Sequence, residues 1–202
     1  ALPLLEDCFN AYPERTDYAQ ALAKTQFALG LTDEAEETLE ICLETFGKSI
    51  SAHVLKAQIE IEKGDNTKAL EHLDTIREQA GEEVPVLELS CRAYATLGQW
   101  DEARATAEKL LATDPTNIPA HNTLTRCHLQ AKDPQAAVDT ALAAISFQFA
   151  SPRAHHLLGS ALIQLEQFEE AEHALKNCLQ LDRENSRALD LLKQVYQLTE
   201  QT

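Results

Sequence analysis

Glycine and proline are both scarce in this chain, six and seven of 202 residues, and only 5% of it is aromatic, a composition that suits a helical protein. Basic residues are in short supply too. Seventeen Lys and Arg against 33 Asp and Glu leave a net charge of −16, and such a field repels nucleic-acid phosphates and anionic membrane surfaces. No apolar run reaches the length of about eighteen residues needed to span a bilayer, and residues 1–15 lack the basic start and apolar stretch of a signal peptide. The expected protein is soluble, with no nucleic-acid partner and no membrane insertion. Five cysteines, an odd number, show no CxxC and no metal-ligand spacing, so unpaired thiols in a reducing, cytoplasmic compartment are expected. A nucleophile elbow, a phosphate-cradling glycine loop and an HExxH motif are all missing from the sequence, so neither an enzyme nor a cofactor is expected.

What the chain has instead is a period. Counting back from Ala171 in steps of 34 residues lands on Ala137, Ala103, Ala69, Ala35 and Ala1. That spacing belongs to a helix-turn-helix solenoid. A second column, eight places into each unit, runs Ala23, Ala57, Cys91, Thr125 and Gly159, all small, as two closely crossing helices require. The units fall at 16–49, 50–83, 84–117, 118–151 and 152–185, preceded by a half unit at 1–15 and followed by a capping helix and tail at 186–202. One array starting in mid-repeat is expected to be a piece of a longer chain. Cys8, Cys42 and Cys178 share one place on the inner face of the second helix and read as small core residues.

Within this register Thr32 or Asp33 is expected to cap a second helix, and Asp133-Pro134 to start another with a cap and a first-turn proline. The apolar stretch 145–150 replaces a polar turn, and it should extend its helix or tuck beneath the next unit. In the final helix Leu189, Leu192, Val195 and Tyr196 are expected to face inward and Arg187 outward. His53, His121 and His155 share a place suited to packing against the preceding unit. His72 and His173, on second helices, are expected to be exposed, and no metal site is expected.

The third unit carries Leu87, Tyr94, Gly98, Trp100, Ala103, Ala107, Leu110 and Pro115, and the fifth carries Leu158-Gly159 with Phe168-Glu169-Glu170-Ala171. This spacing resembles the tetratricopeptide repeat, whose pattern joins a Leu-Gly pair, a Tyr, an Ala three places after an aromatic, and a Pro. The resemblance covers nearly the whole chain. It implies an all-α, right-handed superhelix in which first helices line a concave groove and second helices form an acidic convex back.

By the same resemblance the groove-facing residues include Gln20, Lys24, Phe27, Val54, Gln58, Ile61, Glu88, Arg92 and Ala95, then Asn122, Arg126, Leu129, Arg153, His156, Ser160 and Ile163. Lys24, Arg92 and Arg126 occupy one repeated place, interrupted by Gln58 and Ser160. A row of donors beside apolar strips suits an extended acidic peptide or a free carboxylate. The Lys and Asn carboxylate clamp of the chaperone-binding members is not reproduced, since Gln20 and Lys24 stand at its places in the first unit. The expected function is therefore a protein-interaction scaffold. Two alternatives accompany it. Residues 145–162 are similar to repeat regions that follow phosphodiesterase- or sulfatase-like domains in some bacterial proteins, which implies an accessory role in a larger enzyme. The apolar face of residues 1–12 offers self-association.

Overall fold

The computed structural model describes residues 2–13, 15–47 and 49–200, so Ala1, the first member of the alanine column, lies outside the described residues. Thirteen helices and no strand occur among them. They fall into two compact units, residues 1–97 and 98–202. The first contains α1 (Leu2–Ala11), α2 (Thr16–Ala28), α3 (Thr32–Phe46), α4 (Ile50–Lys63), α5 (Asn66–Thr75), α6 (Arg77–Ala80) and α7 (Val84–Leu97). The second contains α8 (Trp100–Thr113), α9 (Ile118–Gln130), α10 (Pro134–Phe147), α11 (Pro152–Gln164), α12 (Phe168–Leu181) and α13 (Ser186–Thr199).

In each unit the first helix of a repeat packs on the second helix of its own repeat and on the first helix of the next. Thus α2 lies against α3 and α4, and α4 against α5 and α7, while α9 lies against α10 and α11, and α11 against α12 and α13. The small columns permit this closeness. Ala35 and Ala69 in the first unit, and Ala103, Ala137 and Ala171 in the second, are all fully buried. At Gly159 a methyl group would lie 2.7 Å from the Leu175 side chain, so α11 and α12 meet with no room for a larger residue. Around these contacts Leu22, Leu39 and Ile59 fill one core of the first unit, and Leu73, Ile76 and Val86 another. Leu158, Leu162, Leu175 and Val195 fill the core of the second.

The tight turns share one closure. Leu31 donates its backbone N–H to the Gln26 carbonyl at 2.9 Å, and Asp65, Asp133 and Gln167 do the same to Glu60, His128 and Leu162 at 2.8, 2.9 and 3.0 Å. This six-to-one bond needs the intervening residue in the left-handed region. Gly30 and Gly64 supply it at φ 78° and 91°, but Lys132 and Glu166 occupy the same register at 58° and 60°. A side chain there strains the backbone by about 1 kcal/mol or more relative to glycine.

Several local expectations need correction. Neither Thr32 nor Asp33 caps α3; both lie inside the helix, whose first turn follows Leu31 with no side-chain cap bond. The turn closure already holds Leu31 at the cap position, so the helix starts one residue before the expected boundary. The second helix after α4 is broken at the fully buried Ile76 into α5 and α6. In α13 the buried residues are Ala188 and Val195, with Leu191 and Leu192 packed beside them, whereas Leu189 and Tyr196 are 40% and 41% exposed. Tyr196 instead reaches out to donate its hydroxyl to Glu172 Oε1 at 3.0 Å. The cap at Asp133 forms as expected, accepting from the Ala136 N–H at 3.1 Å. The apolar stretch extends α10 as far as Phe147, after which Phe149 stays 63% exposed rather than tucking away.

Candidate functional site

In the first unit α2, α4 and α7 stand side by side and carry the predicted donors at one register. Lys24 and Arg92 are exposed and Gln58 between them is half-buried. Gln20 is drawn away toward the next helix, its amide donating to Ser49 Oγ at 3.4 Å. Phe27 packs partly against the core, and Ile61 is only 6% exposed, so Ile61 is a core residue rather than part of an open face. Ala95 is likewise buried, while Val54 and Glu88 are half-buried.

In the second unit α9, α11 and α13 form the corresponding row. Asn122 on α9 is 5% exposed, and its carboxamide oxygen is buried with no hydrogen-bond partner among the described residues. A buried acceptor left in that state costs free energy until something donates to it. The Arg126 guanidinium lies 5.3 Å from the centre of the Trp100 ring, a cation–π placement that holds it in one orientation. Leu129 and Ile163 pack partly on the core, and Ser160 is half-buried.

Positive charge gathers on α11 and α13. Arg153 and His156 are three residues apart and share a helix face. Burial, and then the positive charges of Arg187 and Arg153, hold the His156 imidazole below its ordinary range. Arg187 on α13 is exposed, as expected, and its charge acts on His156. Its signal was present in the sequence, for it follows Arg153 by one 34-residue period. Against a molecular charge of −16, Arg153 and Arg187 set positive charge on this face.

The expected packing histidines are buried, at 8%, 9% and 2% exposure for His53, His121 and His155. His173 is exposed, but His72 is half-buried against His53 and not the surface residue expected, because α4 and α5 bring the two rings together. All five cysteines are thiols, and burial pushes Cys42, Cys127 and Cys178 above the ordinary thiol range. No group of three or more His, Cys, Asp or Glu side chains able to hold a metal ion occurs among the described residues. No described helix is long and apolar enough to cross a membrane.

The architecture is that of an α-helical repeat solenoid. Residues 21–83 match the tetratricopeptide repeat family model, and residues 96–178 match the model for the anaphase-promoting complex, cyclosome, subunit 3. Among solved structures the chain is similar to YrrB, described as a tetratricopeptide protein with an unusual peptide-binding site. That similarity has 13% identity and a TM-score of 0.77 over 96% of this chain and 100% of that one. PilF of Pseudomonas aeruginosa gives 18% identity and a TM-score of 0.79, with coverage of 94% and 86%. The first tetratricopeptide domain of Spaghetti (RPAP3), bound to the HSP90 peptide SRMEEVD, gives 23% identity and a TM-score of 0.56, covering 58% of this chain and 94% of that one. A search of curated proteins gave no match.

Proposed function

We propose that the chain is a protein-interaction module whose first-helix faces bind an extended, acidic segment of a partner. The observation that carries this reading is the grouping of Arg153, His156 and Arg187 on the face of α11 and α13, with Arg126 on the neighbouring α9. Guanidinium groups pair with carboxylates through two parallel hydrogen bonds, and a preformed helical face loses little entropy when it is occupied. Lys24 and Arg92 offer a second, smaller row in the first unit, with Gln58 between them. The peptide held by the similar Spaghetti domain ends in Glu-Glu-Val-Asp, the kind of sequence that such a face would take.

The test is fluorescence anisotropy with labelled acidic heptapeptides, comparing the wild-type chain with Arg153→Glu/Arg187→Glu and with Arg92→Glu. The reading expects the double reversal to weaken binding more than tenfold at unchanged helicity, Arg92→Glu to weaken it less, and affinity to fall steeply with salt. Equal affinity of wild type and double reversal would overturn it. A second reading, self-association through α1, is favoured by Leu4 and Tyr12, which are 68% and 54% exposed. Molar mass that stays monomeric as concentration rises would exclude it.

A further inference from the structure

Three linkers of the second unit join a second helix to the next first helix, and they share one backbone conformation. Asp114, Gln148 and Asp182 follow α8, α10 and α12 at φ/ψ of −131°/90°, −142°/92° and −140°/93°. They stand 34 residues apart. In the outer two a carboxylate closes the turn. Asp114 accepts from the N–H and hydroxyl of Thr116 at 3.0 and 2.8 Å, and Asp182 accepts from the Glu184 N–H at 3.3 Å and the Asn185 amide at 3.0 Å. The middle linker has no carboxylate, and it places Phe147 and Phe149 on either side of Gln148, 51% and 63% exposed.

The fold does not require those rings, because the first linker has Thr113 and Pro115 at the same register around the same backbone. It does hold them in place. The Phe147 ring stacks on the His121 imidazole with centroids 5.7 Å apart and an interplanar angle of 30°, and the Phe149 ring meets His155 edge-on at 5.0 Å. Each imidazole is itself fastened. His121 Nε2 donates to the Pro115 carbonyl and His155 Nε2 to the Phe149 carbonyl, both at 2.9 Å and each six residues back along the chain. Two aromatic rings that are anchored yet half-exposed lose little freedom when covered, which is the property of an interface anchor. Leu181, one period after Phe147, is 40% exposed and adds an apolar residue at the same register.

Charge selects what can cover them. Residues 140–152 carry no charge, whereas the linkers on either side carry Asp114, Asp182 and Glu184 against Arg183. Bonds from the Thr116 side chain and then its backbone hold the Asp114 carboxyl below the usual carboxylate range, so it is ionised at neutral pH. Arg153 stands two residues before His155, about 200° around α11 from the side that meets Phe149. A second copy would bring another charge of −16, and nucleic acid or an anionic membrane would be repelled as well. We propose that Phe147, Phe149 and Leu181 form a docking edge for a partner protein, taking an apolar segment flanked by lysine or arginine. The open parts of two phenylalanine rings amount to roughly 200 Å², well below the about 800 Å² per partner of a standard interface, so the contact is a transient one. It lies apart from the face of Arg153, His156 and Arg187 and has the opposite preference for charge.

The experiment is fluorescence anisotropy of the full chain with two labelled heptapeptides, Lys-Leu-Leu-Lys-Leu-Leu-Lys and Lys-Ser-Ser-Lys-Ser-Ser-Lys, read beside amide shifts in NMR. The leucine peptide should bind about tenfold more tightly than the serine peptide and shift the amides of residues 145–151 and 181–183. Phe147→Ser/Phe149→Ser should weaken the leucine peptide about tenfold and leave the serine peptide unchanged, at unchanged helicity. Phe149→Ser alone, at the more exposed ring, makes the same test should the double variant melt early. Equal affinity for the two peptides, or unchanged affinity in these variants, would overturn the edge and assign binding to diffuse acidic charge. Tighter binding of Glu-Leu-Leu-Glu-Leu-Leu-Glu would overturn it too, as would a molar mass that rises with concentration in wild type but not in the double variant, which would give the patch to a second copy.

Discussion

The two units fasten their helices differently. In the first unit, α2 and α4 begin after Arg15 and Ser49 with no side-chain cap bond, while the tight turns that lead into the second helices are closed by Gly30 and Gly64. In the second unit every first-type helix is capped: Asn117, Ser151 and Asn185 accept from the N–H three residues on at 3.0, 3.4 and 3.0 Å. The turn into α8 keeps Gly98 at φ 75°, but the next two turns hold Lys132 and Glu166 in the left-handed region instead of glycine. Glycine turns lead from the uncapped first helices α2 and α4, whereas non-glycine turns lead from the capped first helices α9 and α11. Equivalent repeats can therefore reach one architecture from different local compromises, and the packed columns of small residues are what they have in common.

The comparison predicts graded effects. The common packing should dominate, so Leu175→Ala, at a side chain with no exposure beneath Gly159, should cost about 3 kcal/mol in chemical denaturation. Gly159→Val should cost about 2 kcal/mol by forcing α11 and α12 apart. Caps come next: Asn117→Ala should cost about 1 kcal/mol, whereas Ser49→Ala, which loses no cap bond but only the long contact with Gln20, should cost less. If the two caps proved equal, the contrast between units would be broken. Lys132→Gly or Glu166→Gly should stabilise by about 0.5 kcal/mol, the relief of left-handed strain less the entropy of the added glycine.

The least effect at neutral pH, and a growing one in acid, belongs to His53 and His72. Both bind protons less readily when folded, chiefly because they are buried, so the unfolded chain takes up more protons below the ordinary value of 6.5. Stability should be constant above that pH and decline as pH falls through the window beneath it. His72→Gln should flatten part of the decline in melting curves.

The architecture was legible because its signal is periodic. Ala35 to Ala171 repeat one steric demand, and a demand repeated every 34 residues stands out from local noise. The faces were harder to read. Register assigns Ile61 and Asn122 to the same kinds of place as Leu129 and Gln20, yet packing buries the first two and leaves the others half-exposed. How deep a side chain lies depends on the angle between neighbouring helices, which no single helix pattern contains. The meeting of His53 with His72 could not be read from one helix, for the rings come from different helices and 19 residues separate them.

The histidine bond to the carbonyl six residues back also bears on how the linkers can vary. Pro115 and Phe149 are chemically unrelated, yet each offers the same backbone oxygen, to His121 and His155, at 2.9 Å. The imidazole recognises an atom that every amino acid possesses, so the link between one repeat and the next is specified by the receiving helix alone. Residues at the acceptor position are then at liberty to change for other reasons, and the register of the following helix stays in place while they do.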